Sequence, residues 1–257
     1  MKKVAVLLVF LLLFCSCKAE LRYSPVEKDW PEKRVEAEDH HAAPVIPWEE
    51  LPLQAQYFEI PYQGVRYSSR TVSVAAELCE EQLDSFAVQT GDYTGETVYE
   101  CKITLAKIQG ISCDCAVAVR FDGGEEWFAY TNPYYKPKTL GDLIADLNLE
   151  ENLVVGSAWY HSSVEFPAMP AEEVWKLLRK TKAENVYSGQ MLPEWMAVEV
   201  SIPLLGIYES SLRVTEEGYL VTNLLDTGKA FFIGEEAVEN FVGYVTNQCQ
   251  GYRVVYE

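Results

Sequence analysis

The chain predicts an α+β fold, antiparallel sheets with a few packed helices. Short runs of alternating apolar and polar residues recur along it, separated by turn signals such as Asp122-Gly123-Gly124 and Asp226-Thr227-Gly228. Turns this tight join antiparallel strands, whereas parallel strands need crossovers of a dozen residues or more. Stretches of helical spacing interrupt these runs without the strict strand–helix alternation of a parallel α/β protein. Apolar residues make up 49% of the 257 residues and aromatic residues 12%, a globular composition.

Taken in order, Val74, Ala75, Leu78, Cys79, Leu83 and Phe86 recur at helical spacing and predict a helix over 73–87. Residues 97–107 and 112–121 alternate as strands around Gln109-Gly110, and a hairpin at Asp122-Gly123-Gly124 leads into a strand over 126–131. Thr139 follows a proline-broken loop and caps a helix carrying Leu140, Leu143, Ile144 and Leu147. A strand is expected over 154–162. Pro170 opens a helix over 171–180 whose apolar face is Val174, Trp175, Leu177 and Leu178. Strands follow over 196–202, 211–215, 219–223 and 229–233, then a helix over 235–245 and a last strand over 252–256.

Two stretches, 117–147 and 212–245, share a strand–turn–strand–helix order. Tyr130-Thr131-Asn132 in one is echoed by Tyr219, Thr222 and Asn223 in the other. This reads as a duplicated α+β unit, with units over 61–165 and 166–257 that form either two domains or one.

The first residues set the address. Lys2 and Lys3 precede an unbroken apolar run from Val4 to Phe14, and small Ser16 stands directly before Cys17. The run is shorter than the roughly 20 apolar residues of a membrane-spanning helix and suits a signal-peptide core. Residues 1–17 resemble a bacterial lipoprotein signal with its lipobox. The resemblance implies cleavage after Ser16, removal of residues 1–16, and a diacylglycerol thioether on Cys17. Phe14 departs from the leucine that the family favours at that place. A conventional secretory signal cut near Ala19 is the alternative. Two acyl chains hold a protein persistently where one binds marginally, so the implied product is tethered to the outer face of a cell membrane, in a Gram-positive setting.

Residues 17–60 are then expected to form the lipidated end and a Pro- and acid-rich tether. Pro25, Pro31, Pro44, Pro47 and Pro52 alternate there with charged residues. As a flexible coil about 43 residues reach roughly 35 Å. Trp30, Trp48 and Leu51 are candidates to dock back on the domain.

The chain carries 21 basic and 39 acidic residues, a net charge of −18. Such a surface disfavours nucleic acid and anionic headgroups as partners. After removal of Cys15 and lipidation of Cys17, the cysteines are Cys79, Cys101, Cys113, Cys115 and Cys249, an odd number. Strand alternation over 112–121 puts Cys113, Cys115, Val117, Val119 and Phe121 on one face. A core role follows from cysteine's behaviour as a small hydrophobe. A bridge from Cys101 to Cys113 or Cys115, and a metal site, are the other readings, although zinc wants four ligands at recognisable spacing.

Catalytic signatures are sparse. His40, His41 and His161 are the only histidines, and no Gly-x-Ser-x-Gly, His-Glu-x-x-His, P-loop or dinucleotide motif occurs. No catalytic residue, metal ligand or cofactor is assigned. Paired acids can hydrolyse a glycosidic bond, but thirty-nine acids make any one pair uninformative. The most distinctive loop is Tyr130-Thr131-Asn132-Pro133-Tyr134-Tyr135-Lys136-Pro137-Lys138, where stiff aromatic faces sit beside two lysines, a positive island in an acidic chain. Tyr130, Asn132, Tyr134, Tyr135, Lys136 and Trp159 are therefore candidate binding residues, through the aromatic preference of interfaces. The other reading of the loop is a packed strand-to-helix connection.

The functional expectation is a membrane-anchored, extracytoplasmic, non-enzymatic binding module with an envelope protein or peptide as partner. A sensory accessory is the alternative. Glu172-Glu173-Val174-Trp175-Lys176-Leu177-Leu178 is similar in cadence to extracytoplasmic regions associated with antirepressor-type membrane sensors of Gram-positive bacteria. An acid-dependent envelope hydrolase is a further alternative.

Overall fold

Alternation of side chains along extended segments builds two antiparallel sheets here. The computed structural model describes residues 46–167, 169–186, 193–226 and 228–255. Ser16, Cys17, His40, His41 and the tether as far as residue 45 lie outside the described residues.

The packed region begins earlier than residue 60. Trp48–Glu50 forms a 3-10 turn and Leu53–Gln56 a short helix, α1, each preceded by a proline. Trp48, Tyr57 and Ile60 are buried, and Trp48 stacks on Tyr99 with ring centroids 4.2 Å apart. The prolines that read as tether instead lead into helical turns, for which their fixed φ suits them.

The first sheet contains β1 (Glu59–Tyr62), β2 (Val65–Val74), β3 (Cys79–Gly91), β4 (Val98–Ile108), β5 (Ala116–Phe121) and β6 (Trp127–Thr131), in the order β1-β2-β6-β5-β4-β3. Gln63 and Gly64 both have positive φ between paired Tyr62 and Val65, the two-residue hairpin turn that matches strand twist. Tyr62 of β1 lies nearly parallel to Phe86 of β3, centroids 6.5 Å apart, so the sheet curls until its two edges approach.

Two expectations are corrected in this sheet. Residues 73–87 are not a helix: they comprise the end of β2, a 3-10 turn at Ala76–Leu78 and the first part of β3. β3 carries register shifts between Cys79 and Gln82 and between Gln82 and Asp84. Bulges add residues to one strand of a pair, and here they convert a period of two into apparent helical spacing. Cys113 and Cys115 do not share a strand face either. Backbone bonds from Cys115 and Ala116 to the Ser112 carbonyl, at 2.9 and 3.1 Å, wrap 112–116 into a turn. Cys113 therefore packs with Val117 and Val119, while Cys115 packs with Ala116 and Ala118 on the opposite side. Cys79, Cys101, Cys113, Cys115 and Cys249 are all free thiols.

The second sheet contains β7 (Val154–Tyr160), β8 (Val164–Phe166), β9 (Met196–Ile202), β10 (Ile207–Val214), β11 (Tyr219–Thr222), β12 (Lys229–Phe232) and β13 (Arg253–Val254). Their order is β12-β11-β10-β9-β7-β8-β13. The helices are α2 (Leu140–Asp146), the four-residue α3 (Leu149–Asn152), α4 (Ala171–Leu178) and α5 (Glu235–Gln248). Thr139 caps α2 as expected, in a capping box with Asp142: each side chain accepts the other residue's backbone N–H. A hairpin and a helix follow one another in both halves. The Tyr…Thr-Asn echo is not structurally equivalent, since Tyr130 lies on the strand preceding α2 whereas β12 separates Tyr219 from α5.

One hydrophobic cluster takes residues from both sheets and from α2, α4 and α5, among them Val74, Ala118, Leu143, Leu177, Val198, Phe231 and Phe241. The first sheet faces it with Ala106, Ala116, Ala118 and Ala129, small side chains that let the neighbouring layer approach. Its concave face holds a second cluster around Tyr57, Tyr67, Ile103, Val119 and Tyr130. A bulge in β2 between Ser69 and Ser73 frees Arg70, whose Nε donates to Thr131 Oγ1 at 2.6 Å and whose guanidinium pairs with Asp226 of the second sheet's turn.

Gly218 marks a close approach. It has φ +83°, and a Cβ there would lie 2.5 Å from the Glu235 nitrogen and 2.6 Å from the Gly234 carbonyl carbon. Gly218→Ala is expected to destabilise by about 2–3 kcal/mol, combining positive-φ strain with a backbone clash. For a domain of this size that lowers Tm by roughly 5–10 °C. Gly243 in α5 has nothing within 4 Å of an added Cβ. Gly243→Ala is expected to stabilise by about 0.5–1 kcal/mol through helix propensity. Thermal unfolding of the two variants, with shifts of opposite sign, is the measurement.

Candidate functional site

The loop singled out in the sequence is folded by its own amide. Asn132 Oδ1 accepts from the Tyr134 backbone N–H at 2.9 Å, an Asx turn, while its Nδ2 donates to the Asp114 carbonyl at 2.9 Å. This turn divides the aromatic residues. Tyr134 is 68% exposed, whereas Tyr135 is buried with its hydroxyl donating to Asp146. Tyr130 is fully buried and donates to the Tyr57 carbonyl at 2.8 Å. Lys136 and Lys138 are exposed. Trp159 lies elsewhere, half-buried on β7. Its Nε1 donates to Ser157 Oγ at 3.0 Å and Glu199 Oε1 at 3.1 Å, and Ser157 Oγ lies 2.7 Å from Glu199 Oε2. Of the six candidate binding residues, Tyr134 and Lys136 stand free at the surface of one loop, while Tyr130, Asn132 and Tyr135 are spent on internal hydrogen bonds.

Residues 181–186, after α4, form a strap between the two halves. Along one edge, Leu140 and Gly141 donate to the Ala183 and Thr181 carbonyls, and Asn185 donates to the Lys138 carbonyl, each at 2.8 Å. Asn185 Nδ2 also donates to the Pro137 carbonyl at 3.1 Å. Along the other edge, Val186 donates to the Ala230 carbonyl at 2.8 Å and Asn185 bridges to Phe231 of β12. The register sets Lys138 opposite Asn185, and Lys136 and Lys138 are exposed on the loop that pairs with the strap.

Where the strap parts from β12 a groove of about 470 Å³ opens, lined by Arg179, Lys180, Thr181, Lys182, Ala183, Phe232 and Ile233. Its lining holds three cations and no acid. Phe232 is 52% exposed and supplies an aromatic floor. A second groove of about 340 Å³ adjoins it at Lys180, between α4 and α5, with Lys176 over the Tyr244 ring. Elsewhere cations are matched: Arg66 with Glu59, Arg70 with Asp226, Lys107 with Glu80, Lys176 with Glu173, Arg179 with Glu172 and Arg253 with Glu165. Among the described residues Lys136, Lys138, Lys180 and Lys182 take part in no ion pair. Lys102, Arg120 and Arg213 share that state on separate strands, β4, β5 and β10, with Arg120 lying over the Trp127 ring. Glu184 is the acid on the strap itself, bridged to Thr139.

Sequence reading had found the lysines of the loop but not those of the strap. The signal was present as four cations in the seven residues from Lys176 to Lys182, in a chain with nearly twice as many acids as bases. The strap has no apolar period, and its pairing partners lie far away in the chain.

A second cluster is buried. The Cys115 thiol lies against the Tyr135 hydroxyl, and burial, with Asp146 nearby, pushes that thiol well above its ordinary range. Burial and the hydrogen bond to Asp146 raise the Tyr135 phenol too. A protonated, buried thiol is a poor nucleophile. Lys229 is fully buried, its Nζ donating to the Leu224 carbonyl at 2.5 Å. Burial lowers its pKa to about 8. His161 is exposed at the β7–β8 turn with its ring edge-on to Tyr160, centroids 4.3 Å apart. Among the described residues no group of three or more His, Cys, Asp and Glu side chains is placed to hold a metal ion, and no helix is long and apolar enough to cross a membrane.

Lys229 gives stability a defined pH dependence. Its folded pKa of about 8 lies below the ordinary value of 10.5. The unfolded chain therefore binds the proton more tightly, and stability rises as pH climbs between these values. Denaturant melts at pH 8 and pH 10 are expected to show a gain of about 2 kcal/mol for the wild type relative to Lys229→Met. The tyrosines and thiols with raised pKa values oppose the gain equally in both proteins, so the difference isolates Lys229.

Comparison with known proteins finds no family model, no curated protein and no solved structure that matches this chain.

Proposed function

We propose that this chain is a lipid-anchored binding module of the bacterial envelope, which holds a protein or peptide partner at the cationic groove and performs no chemistry on it. The groove carries this reading. Lys180 and Lys182, which have no ion pair among the described residues, line the groove beside exposed Phe232 in a protein of net charge −18. An unbalanced positive face in a negative field is a local potential that steers and orients an acidic partner. Phe232 and Tyr134 add aromatic surface of the kind enriched at interfaces. The lipobox-like Leu13-Phe14-Cys15-Ser16-Cys17 supports the address.

In living cells, a photoreactive benzoylphenylalanine in place of Phe232 is expected to give a discrete cross-linked adduct. Lys180→Glu with Lys182→Glu is expected to abolish it, and Cys17→Ser is expected to move the protein from the membrane to the soluble fraction. An adduct indifferent to the charge reversals, or none, overturns the binding reading. Membrane retention of Cys17→Ser overturns the anchor.

A further inference from the structure

The geometry points to a ligand class for this groove: a short acidic peptide segment of a partner protein, with an apolar side chain between its carboxylates. This rests on the binding-module reading of the same site and narrows it.

Complementarity of charge supplies the first argument. Lys180 and Lys182, which line the groove, have no ion pair among the described residues, so a carboxylate reaching them displaces water and no existing partner. Arg179, also in the groove lining, is held at 3.0 Å by Glu172, and Lys176, in the adjoining groove, at 2.7 Å by Glu173. The cations available to a ligand are thus ammonium groups on flexible stems. These serve as adaptable point charges rather than as rigid bidentate forks for one planar anion.

The floor supplies the second. Phe232 and Ile233 line the same groove as the lysines, and Phe232 leaves half its surface to solvent. A purely polar anion leaves that ring uncovered, whereas a peptide with a central aromatic or branched side chain buries it.

Length is decided by what surrounds the groove. Exposed Glu235 and Glu236 begin α5 directly after Ile233 and Gly234, Glu184 lies on the strap, and Glu172 and Glu173 stand in the first turn of α4. A polyanion longer than the groove meets Glu172, paired with the lining residue Arg179, and Glu235, two residues beyond the lining residue Ile233. A volume of about 470 Å³ belongs to the lower part of the range of ligand pockets, roughly 300–1,000 Å³. The site therefore favours a few residues over a long phosphate polymer or nucleic acid.

The test is fluorescence polarisation with a labelled seven-residue peptide that carries a phenylalanine between two pairs of aspartates, on the intact domain. Binding is expected at low salt and is expected to weaken at least fivefold between about 0.05 and 0.3 M salt. Replacing the aspartates with asparagine, or using the Lys180→Glu, Lys182→Glu protein, is expected to cost at least tenfold, and replacing the peptide phenylalanine with glycine about fivefold. Lys180→Gln with Lys182→Gln, at the same exposed positions, gives a second variant with an expected intermediate loss, and unchanged Tm values show that the fold is kept. Equal binding of the asparagine peptide, indifference to both lysine pairs, or tighter binding of a poly(glycerol phosphate) chain overturns the peptide assignment. If the peptide fails while the Phe232 cross-link in cells persists and depends on the lysines, the ligand class falls and the binding function stands. If both fail, both fall.

Discussion

Backbone pairing of the strap is the interaction on which the rest of this architecture depends. Residues 181–186 lie between the segment that opens α2 and the edge of β12, and bond to both. An open strand edge is a template for unwanted pairing, and the strap covers part of the edge of the second sheet. It also sets where α4 ends relative to the loop before α2. A Cβ on Gly141 would stand 2.9 Å from the Thr181 carbonyl oxygen, so the closeness of this pairing depends on a residue without a side chain.

Two other devices join the sheets and keep the molecule chemically quiet. The β2 bulge delivers Arg70 to Thr131 and Asp226, and Gly206 packs beside it, where an added Cβ would stand 2.9 Å from Val72 Cγ1. Small alanines on one face of the first sheet allow a single core to run through residues of both sheets. The titratable groups drawn into that interior, Cys115, Tyr135 and Lys229, are each shifted toward the neutral form by burial. These three side chains are thus held inside, while Lys180 and Lys182 stand at the groove without ion pairs among the described residues.

Much of the fold was legible wherever local chemistry and tertiary context agreed. Thr139 with Asp142 three residues later specified the start of α2, and β9 matches its expected span because alternate burial from Met196 to Ile202 survives intact. Legibility failed where bulges and turns altered the period. β3 read as a helix because two register shifts displaced Leu83 and Phe86 from strict alternation. The turn at 112–116 sent Cys113 and Cys115 to opposite faces. β1 escaped notice because it straddles the end of the proline-rich stretch read as tether, and the end of β2 was read into the helix expected over 73–87.

The sequence by itself determined the class of fold, the excess of negative charge and the lipobox-like start, because periodicity, composition and contiguous motifs are local properties. Only the tertiary structure decided which residues form a site. Pro137 and Asn185 are 48 positions apart yet hydrogen bonded, and non-local pairing of this kind holds the strap, so that Lys180 and Lys182 line one groove with Phe232 of a distant strand. Burial also decided the place of Tyr130 and Tyr135, whose hydroxyls found partners inside the protein while Tyr134 stayed exposed.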